Sequence, residues 1–137
     1  MGKNLKFNST ICTSRVQSER LLSLGLKKET ADMYYYFYDK NAYEINPTWE
    51  TIWEDGDDYK KIIPAWSLGR LIEMMPLDVV PEGGLDNCFT LIKNYPKGYS
   101  VEYDGFSYYH KENIYDTIID GIEHLINEGY FNKEYLV

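Results

Sequence analysis

A chain of 137 residues with 22 acidic and 14 basic side chains, formal charge −8, is sized for a single domain over 1–137 and repels a phosphate backbone. Its 16% aromatic content, led by 14 tyrosines, excludes intrinsic disorder, and no window approaches the roughly eighteen apolar residues of a membrane span. The lysines occur as scattered pairs, so the composition sets aside nucleic acid and membrane as partners.

Residues 1–13 read as a polar, loosely ordered leader without the apolar segment of a secretion signal. Ser14 and Gln17 have capping-box spacing, which predicts a helix running to Leu24 with Gly25 as its stop. Leu22 falls away from Val16, Leu21 and Leu24, so contacts on two sides of this helix are expected. Glu29 to Met33 reads as a turn or a single helical turn. Tyr34 to Tyr38 is an aromatic run with strand preference, and alternation would present aromatic rings on both faces.

Asn46 to Lys61 admits two readings: strands at Trp49 to Trp53 and Tyr59 to Ile63 around an Asp55-Gly56 turn, or a short helix opened by Pro47. In Ile63 to Pro76, Ser67 is placed to cap a helix striped by Leu68, Leu71, Ile72 and Met75 and stopped by Pro76. Pro76 to Gly84 then reads as a connecting loop. Strands are predicted at Cys88 to Lys93 and Tyr99 to Tyr103, with a turn at Tyr95 to Gly98 between them.

Asp104-Gly105 predicts a two-residue hairpin turn that pairs Tyr103 with Phe106, Val101 with Tyr108 and Tyr99 with His110 on one aromatic face. Ser100, Glu102, Ser107 and Tyr109 fall on the polar face. The last helix starts at an Asn113 cap and stops at Gly129, striped by Tyr115, Ile118, Ile119, Ile122, Leu125 and Ile126. The fold class that follows is α+β, a small antiparallel sheet with a β-hairpin at 99–110 packed against about three helices.

Chemistry is sparse in this pattern. His110, His124, Cys12 and Cys88 form no metal-ligand spacing, and the cysteines are expected as reduced thiols in a cytoplasmic protein. Asp39, Asn41, Tyr43 and Glu50 match positions of a calcium loop, but Glu44 stands where the turn needs glycine. Gly83-Gly84 lacks the rest of a phosphate cradle, and no nucleophile motif occurs. No catalytic residue, metal or cofactor is therefore assigned. His110, on the predicted apolar face, is the centre of the enzyme alternative.

Fourteen tyrosines exceed what a core of this size accommodates, since each buried hydroxyl needs a partner, and tyrosine is a residue that interfaces favour. Candidate binding residues are Trp49, Trp53, Asp55, Asp57 and Asp58 around the acidic tip, with Tyr109 on the hairpin's polar face. An unidentified protein partner, or a second copy, is the expected ligand. The alternative is an acidic mimic of nucleic acid that occupies a DNA-binding or defence protein.

Ser18 to Leu26, Thr30-Ala31-Asp32-Met33-Tyr34, Ile63-Pro64-Ala65-Trp66-Ser67-Leu68 through Pro76, and the closing helix with Gly129-Tyr130 occur in an order that resembles a family of small uncharacterised proteins. That family is carried by phages, prophages and mobile elements of gut Bacteroidetes bacteria. The resemblance implies an accessory role and carries no activity, ligand or site residue with it.

Overall fold

The computed structural model describes residues 5–48, 62–79, 87–94, 96–103 and 107–137, and of residues 78, 79, 87 and 107–109 only the backbone. Helix α1, Arg15–Ser23, starts as the sequence requires: the Gln17 N–H donates to Ser14 Oγ and the Ser14 N–H to Gln17 Oε1. It ends in a Schellman motif, with Leu26 N–H donating to Leu21 C=O and Gly25 N–H to Leu22 C=O. The helix buries Ser18 and Leu21, whereas Val16 is 76% exposed and falls outside the stripe.

A 3-10 turn at Lys28–Thr30 leads into β1, Met33–Phe37, which pairs antiparallel with β2, Tyr43–Pro47, and with β3, Ile62–Ala65. Pro47 closes a strand and does not open a helix, because Tyr43–Pro47 completes the backbone pairing of β1 from Met33 to Phe37. Trp49 to Lys61 lie outside the described residues, apart from which the expected Tyr59 to Ile63 strand is present at its end, in β3.

Ser67 Oγ accepts the Arg70 N–H and caps α2, Leu68–Met74. Leu71 and Met75 are buried as expected, Met75 from extended backbone just past the helix end, whereas Ile72 is exposed and Met74, outside the expected stripe, is buried. Inside the expected Pro76 to Gly84 loop, β4, Asp78–Val79, pairs with β5, Asn87–Lys93. Next come β6, Tyr99–Tyr103, and β7, Ser107–Lys111.

The architecture is α+β, and its antiparallel strands divide into two sheets, ordered β2-β1-β3 and β4-β5-β6-β7. Helix α3, Ile114–Glu128, contacts α1, α2, β6 and β7. Asn113 Oδ1 accepts the N–H groups of Tyr115 and Asp116 at its start, and Gly129 closes it by the same Schellman pattern as α1. Ile118, Ile119, Ile122 and Leu125 are fully buried against Leu21, Leu26, Trp66, Leu71 and Val101. Each such side chain stabilises the fold by about 1.5–3 kcal/mol. Gly121 lets α3 approach β6, since a Cβ there would lie 3.0 Å from Val101 Cγ2. Among the described residues no helix is long and apolar enough to cross a membrane.

The β6–β7 pairing is one residue away from the expected register. Tyr103 pairs with Ser107, Val101 with Tyr109 and Ser100 with His110. The expected Asp104-Gly105 turn lies outside the described residues, and the shift of one residue in the register moves every β7 position to the opposite face relative to β6. Tyr109 thus sits opposite buried Val101, not among the polar positions assigned to it. His110 sits opposite Ser100 and is exposed, not part of an apolar face.

The start of β6 depends on Gly98. Its φ is +93°, and a Cβ there would meet His110 Nε2 at 2.7 Å and the Lys111 carbonyl oxygen at 3.0 Å. Gly25 has φ +102° but open space around it. Gly25→Ala is expected to cost about 1–2 kcal/mol, from the left-handed backbone alone. Gly98→Ala should cost more, because the Lys111 backbone cannot swing aside as a side chain would. Urea denaturation of the two variants checks the order, and equal losses would contradict the close approach.

Candidate functional site

Two sequence words meet at the centre of the molecule. From the loop before β1, Asp32 accepts the Ser67 N–H at 2.8 Å through Oδ1 and the Ser67 hydroxyl through Oδ2. Thr30 Oγ1 accepts the Trp66 indole N–H at 3.0 Å, and Thr30 C=O accepts from the Arg70 guanidinium at 2.9 Å. The leader joins the same network: Thr13 and Trp66 exchange two hydrogen bonds, and Thr13 Oγ1 lies 2.8 Å from Ser18 Oγ. Ser67 Oγ donates to Asp32 and accepts the Arg70 N–H, so both of its capacities are engaged in holding β1 to the start of α2. Among the described residues every buried side-chain nitrogen or oxygen has a partner.

The buried phenols solve their hydrogen-bonding problem on backbone carbonyls. Tyr35 donates to Thr13 C=O, Tyr103 to Pro76 C=O and Tyr115 to Thr10 C=O. Burial pushes the Tyr35 and Tyr115 hydroxyls above the usual phenol range. Burial likewise raises Cys12, whose Sγ lies 3.8 Å from Tyr35 Oη, and this keeps the thiol protonated and a poor nucleophile. Cys88 is free and exposed.

Among the described residues the two exposed tyrosines stand at the end of the β1–β2 hairpin. Tyr38 is 61% and Tyr43 is 53% exposed, on either side of a turn that Asp39 fixes by accepting the N–H groups of Asn41 and Ala42. Those two bonds hold the Asp39 carboxyl below the usual range. On one face Tyr43 packs at 5.4 Å from Phe37 and 5.2 Å from Tyr35, and the Arg15 guanidinium lies 5.1 Å over the Phe37 ring. On the other face Tyr36 and Tyr38 meet edge to face at 5.2 Å, and the Tyr38 hydroxyl is raised by its hydrogen bond to Glu44. Ile11 and Val16, on either side of Arg15 in the chain, are exposed as well.

Of the candidates taken from the sequence, Trp49, Trp53, Asp55, Asp57 and Asp58 lie outside the described residues, and Tyr109 occupies the β7 position opposite Val101. Exposed His110 rests against Gly98 and lines neither described cavity. The more enclosed of these, about 390 Å³, lies between Phe7–Thr10 and the start of α3. Among the described residues no three His, Cys, Asp or Glu side chains group as metal ligands. Asp39 of the calcium-like spacing serves its own turn.

Sequence reasoning passed over Tyr38 and Tyr43. The signal was present: the aromatic run Tyr34 to Tyr38 and then Tyr43 lie on either side of Asp39-Lys40-Asn41, a polar run able to turn the chain. Comparison with known protein families, with curated proteins and with solved structures returned no match.

Proposed function

We propose that this chain is a noncatalytic accessory protein of phage or mobile-element type that acts in the cytoplasm by binding a protein partner, or a second copy of itself, through the aromatic end of the β1–β2 hairpin. The observation that carries the reading is the exposure of Tyr38 and Tyr43 beside a hydrogen-bonded turn. Rigid tyrosines on a fixed hairpin present large contact area at small entropic cost, the arrangement favoured at binding surfaces. The noncatalytic part draws support from the central polar groups, whose donors and acceptors are engaged in joining elements. The accessory part rests on the resemblance of the Thr30 to Tyr34 and Pro64 to Leu68 words.

Acidic mimicry of nucleic acid has less behind it. Two carboxylates on α3, Asp120 and Glu123, bind Arg20 at 2.7 and 2.8 Å, and Lys111 lies 3.7 Å from Asp120, so two cations offset the pair as stand-ins for phosphate.

Co-purification from the native host, read by mass spectrometry, tests the proposal alongside sizing of the pure protein. The Tyr38→Ala/Tyr43→Ala double variant should weaken the complex on the order of 30-fold, the loss from removing an aromatic hot spot worth about 2 kcal/mol. Stability should fall by only about 1 kcal/mol, from the lost ring contacts. Full retention of partner and oligomeric state by the double variant would refute the assignment.

A further inference from the structure

The starts of α1 and α3 share one side chain. Gln17 Oε1 accepts the Ser14 N–H at 2.9 Å, completing the α1 capping box. Its amide nitrogen donates to Asp116 Oδ1 at 2.9 Å and to Asn113 Oδ1 at 3.3 Å, across 99 and 96 residues of sequence. Asn113 Oδ1 is itself the α3 cap, accepting the N–H groups of Tyr115 and Asp116 at 2.9 and 3.2 Å. Only one orientation of the carboxamide meets a backbone donor on one side and a carboxylate on the other, so the assignment of its oxygen and nitrogen is fixed by the network.

One turn further along, Arg20 repeats the arrangement by bridging to Asp120 and Glu123. The α1–α3 seam is thus polar at its rim, and it begins at the two caps. From this geometry we propose that Gln17 is a coupling residue that joins the first turns of α1 and α3 into one opening unit, so that fraying of either helix start releases the other. Two helix starts that share no side chain fray independently, each at its own local free energy. Here the loss of Asn113 Oδ1 removes one of the three carboxamide contacts, and the loss of Ser14 Oγ removes the acceptor of the Gln17 N–H and loosens the backbone whose Ser14 N–H holds Oε1, so either raises the cost of keeping the remaining contacts. Arg15, adjacent to the α1 cap, lies over Phe37, which brings the β1–β2 hairpin into contact with the same unit.

The carboxamide also accounts for a departure from common usage. Glutamate serves as well as glutamine at the third position of a capping box. At position 17 it would place a carboxylate against Asp116 and supply no donor to either α3 acceptor.

Residue-resolved hydrogen exchange on the full chain tests the coupling. Ser14→Ala should accelerate exchange at the Tyr115 and Asp116 amides about threefold or more, and Asn113→Ala should do the same at the Gln17 amide. In a Gln17→Leu background each cap deletion should affect only its own helix. Acceleration confined to the helix carrying the substitution, in an otherwise wild-type chain, would overturn the proposal. Gln17→Glu supplies an independent readout should a cap deletion fail to fold. Its protection factors should fall at both helix starts at pH 7 and recover as the new carboxyl protonates, above the ordinary glutamate value of about 4.3 because Asp116 lies beside it. A fall at α1 or α3 alone would refute the coupling.

Discussion

Trp66→Ala is expected to destabilise the protein by about 4 kcal/mol, the cost of removing the largest aromatic side chain from a packed core. Trp66 is 0% exposed and lies among Leu21, Leu26, Leu71 and the isoleucines of α3. Its truncation leaves a void lined by α1, α2 and α3 together, which none of the three can fill without moving against the others. The indole N–H bond to Thr30 is lost as well, although Thr30 Oγ1 still donates to Lys27 C=O and is not orphaned. The void is therefore the dominant cost. Trp66→Phe, which keeps most of the ring area and loses only the hydrogen bond and part of the volume, should fall by about half as much. For a domain whose net stability is of order 5–15 kcal/mol, the alanine variant approaches the limit of folding at 37 °C. Urea titration followed by circular dichroism measures both losses, and a Trp66→Ala cost below about 1.5 kcal/mol would contradict the central position of this residue.

Asp32→Ala should cost about 2–3 kcal/mol, from two charge-assisted hydrogen bonds at a half-buried site. The substitution leaves the Ser67 N–H without its acceptor and frees the hydroxyl that caps α2. Asp32→Asn retains an acceptor for the N–H and its amide nitrogen can donate to the second lone pair of Ser67 Oγ, but the Ser67 O–H loses its acceptor and both bonds lose their charge, so an intermediate loss of about 1–2 kcal/mol is expected. Ser67→Ala removes the cap and the hydroxyl bond together. If the pair acts as a unit, the Asp32→Ala/Ser67→Ala double variant will be more stable than the sum of the singles predicts, by about 1 kcal/mol. Additive losses would mean that the two side chains stabilise the fold separately.

The parts of this fold that were legible in the sequence are those determined within one turn or one stripe. Ser14, Ser67 and Asn113 announce helix starts because a short polar side chain can reach its own backbone two or three residues on. The α3 stripe is legible because fifteen residues give its periodicity several repeats. The seven residues of α2 give too few, and the inclusion of Ile72 and omission of Met74 follow from that. The β6–β7 register was not legible, since Asp-Gly suits loops of two residues and of three alike, and a single residue reverses every partner.

The β1–β2 hairpin escaped for a different reason. Its turn has neither glycine nor proline, and its stability comes from Asp39 bonding to Asn41 and Ala42, a local arrangement open to many polar sequences. Least legible was the meeting of the Thr30 to Tyr34 and Pro64 to Leu68 words. Each word makes sense alone as a turn or a cap. The bonds from Asp32 to Ser67 and from Trp66 to Thr30 exist only once β1 and β3 have paired.

The Leu26–Leu136 bridge and the Tyr115 hydroxyl on Thr10 C=O join positions more than one hundred residues apart. High contact order of this kind slows the search for the native topology and defers its reward to the last contacts made. During synthesis the buried face of α1 can find cover on β3, but its cover is complete only once α3 has emerged. Over that interval Leu21 and its neighbours are exposed to chaperones and to aggregation, so the vulnerable species of this protein is the incomplete nascent chain.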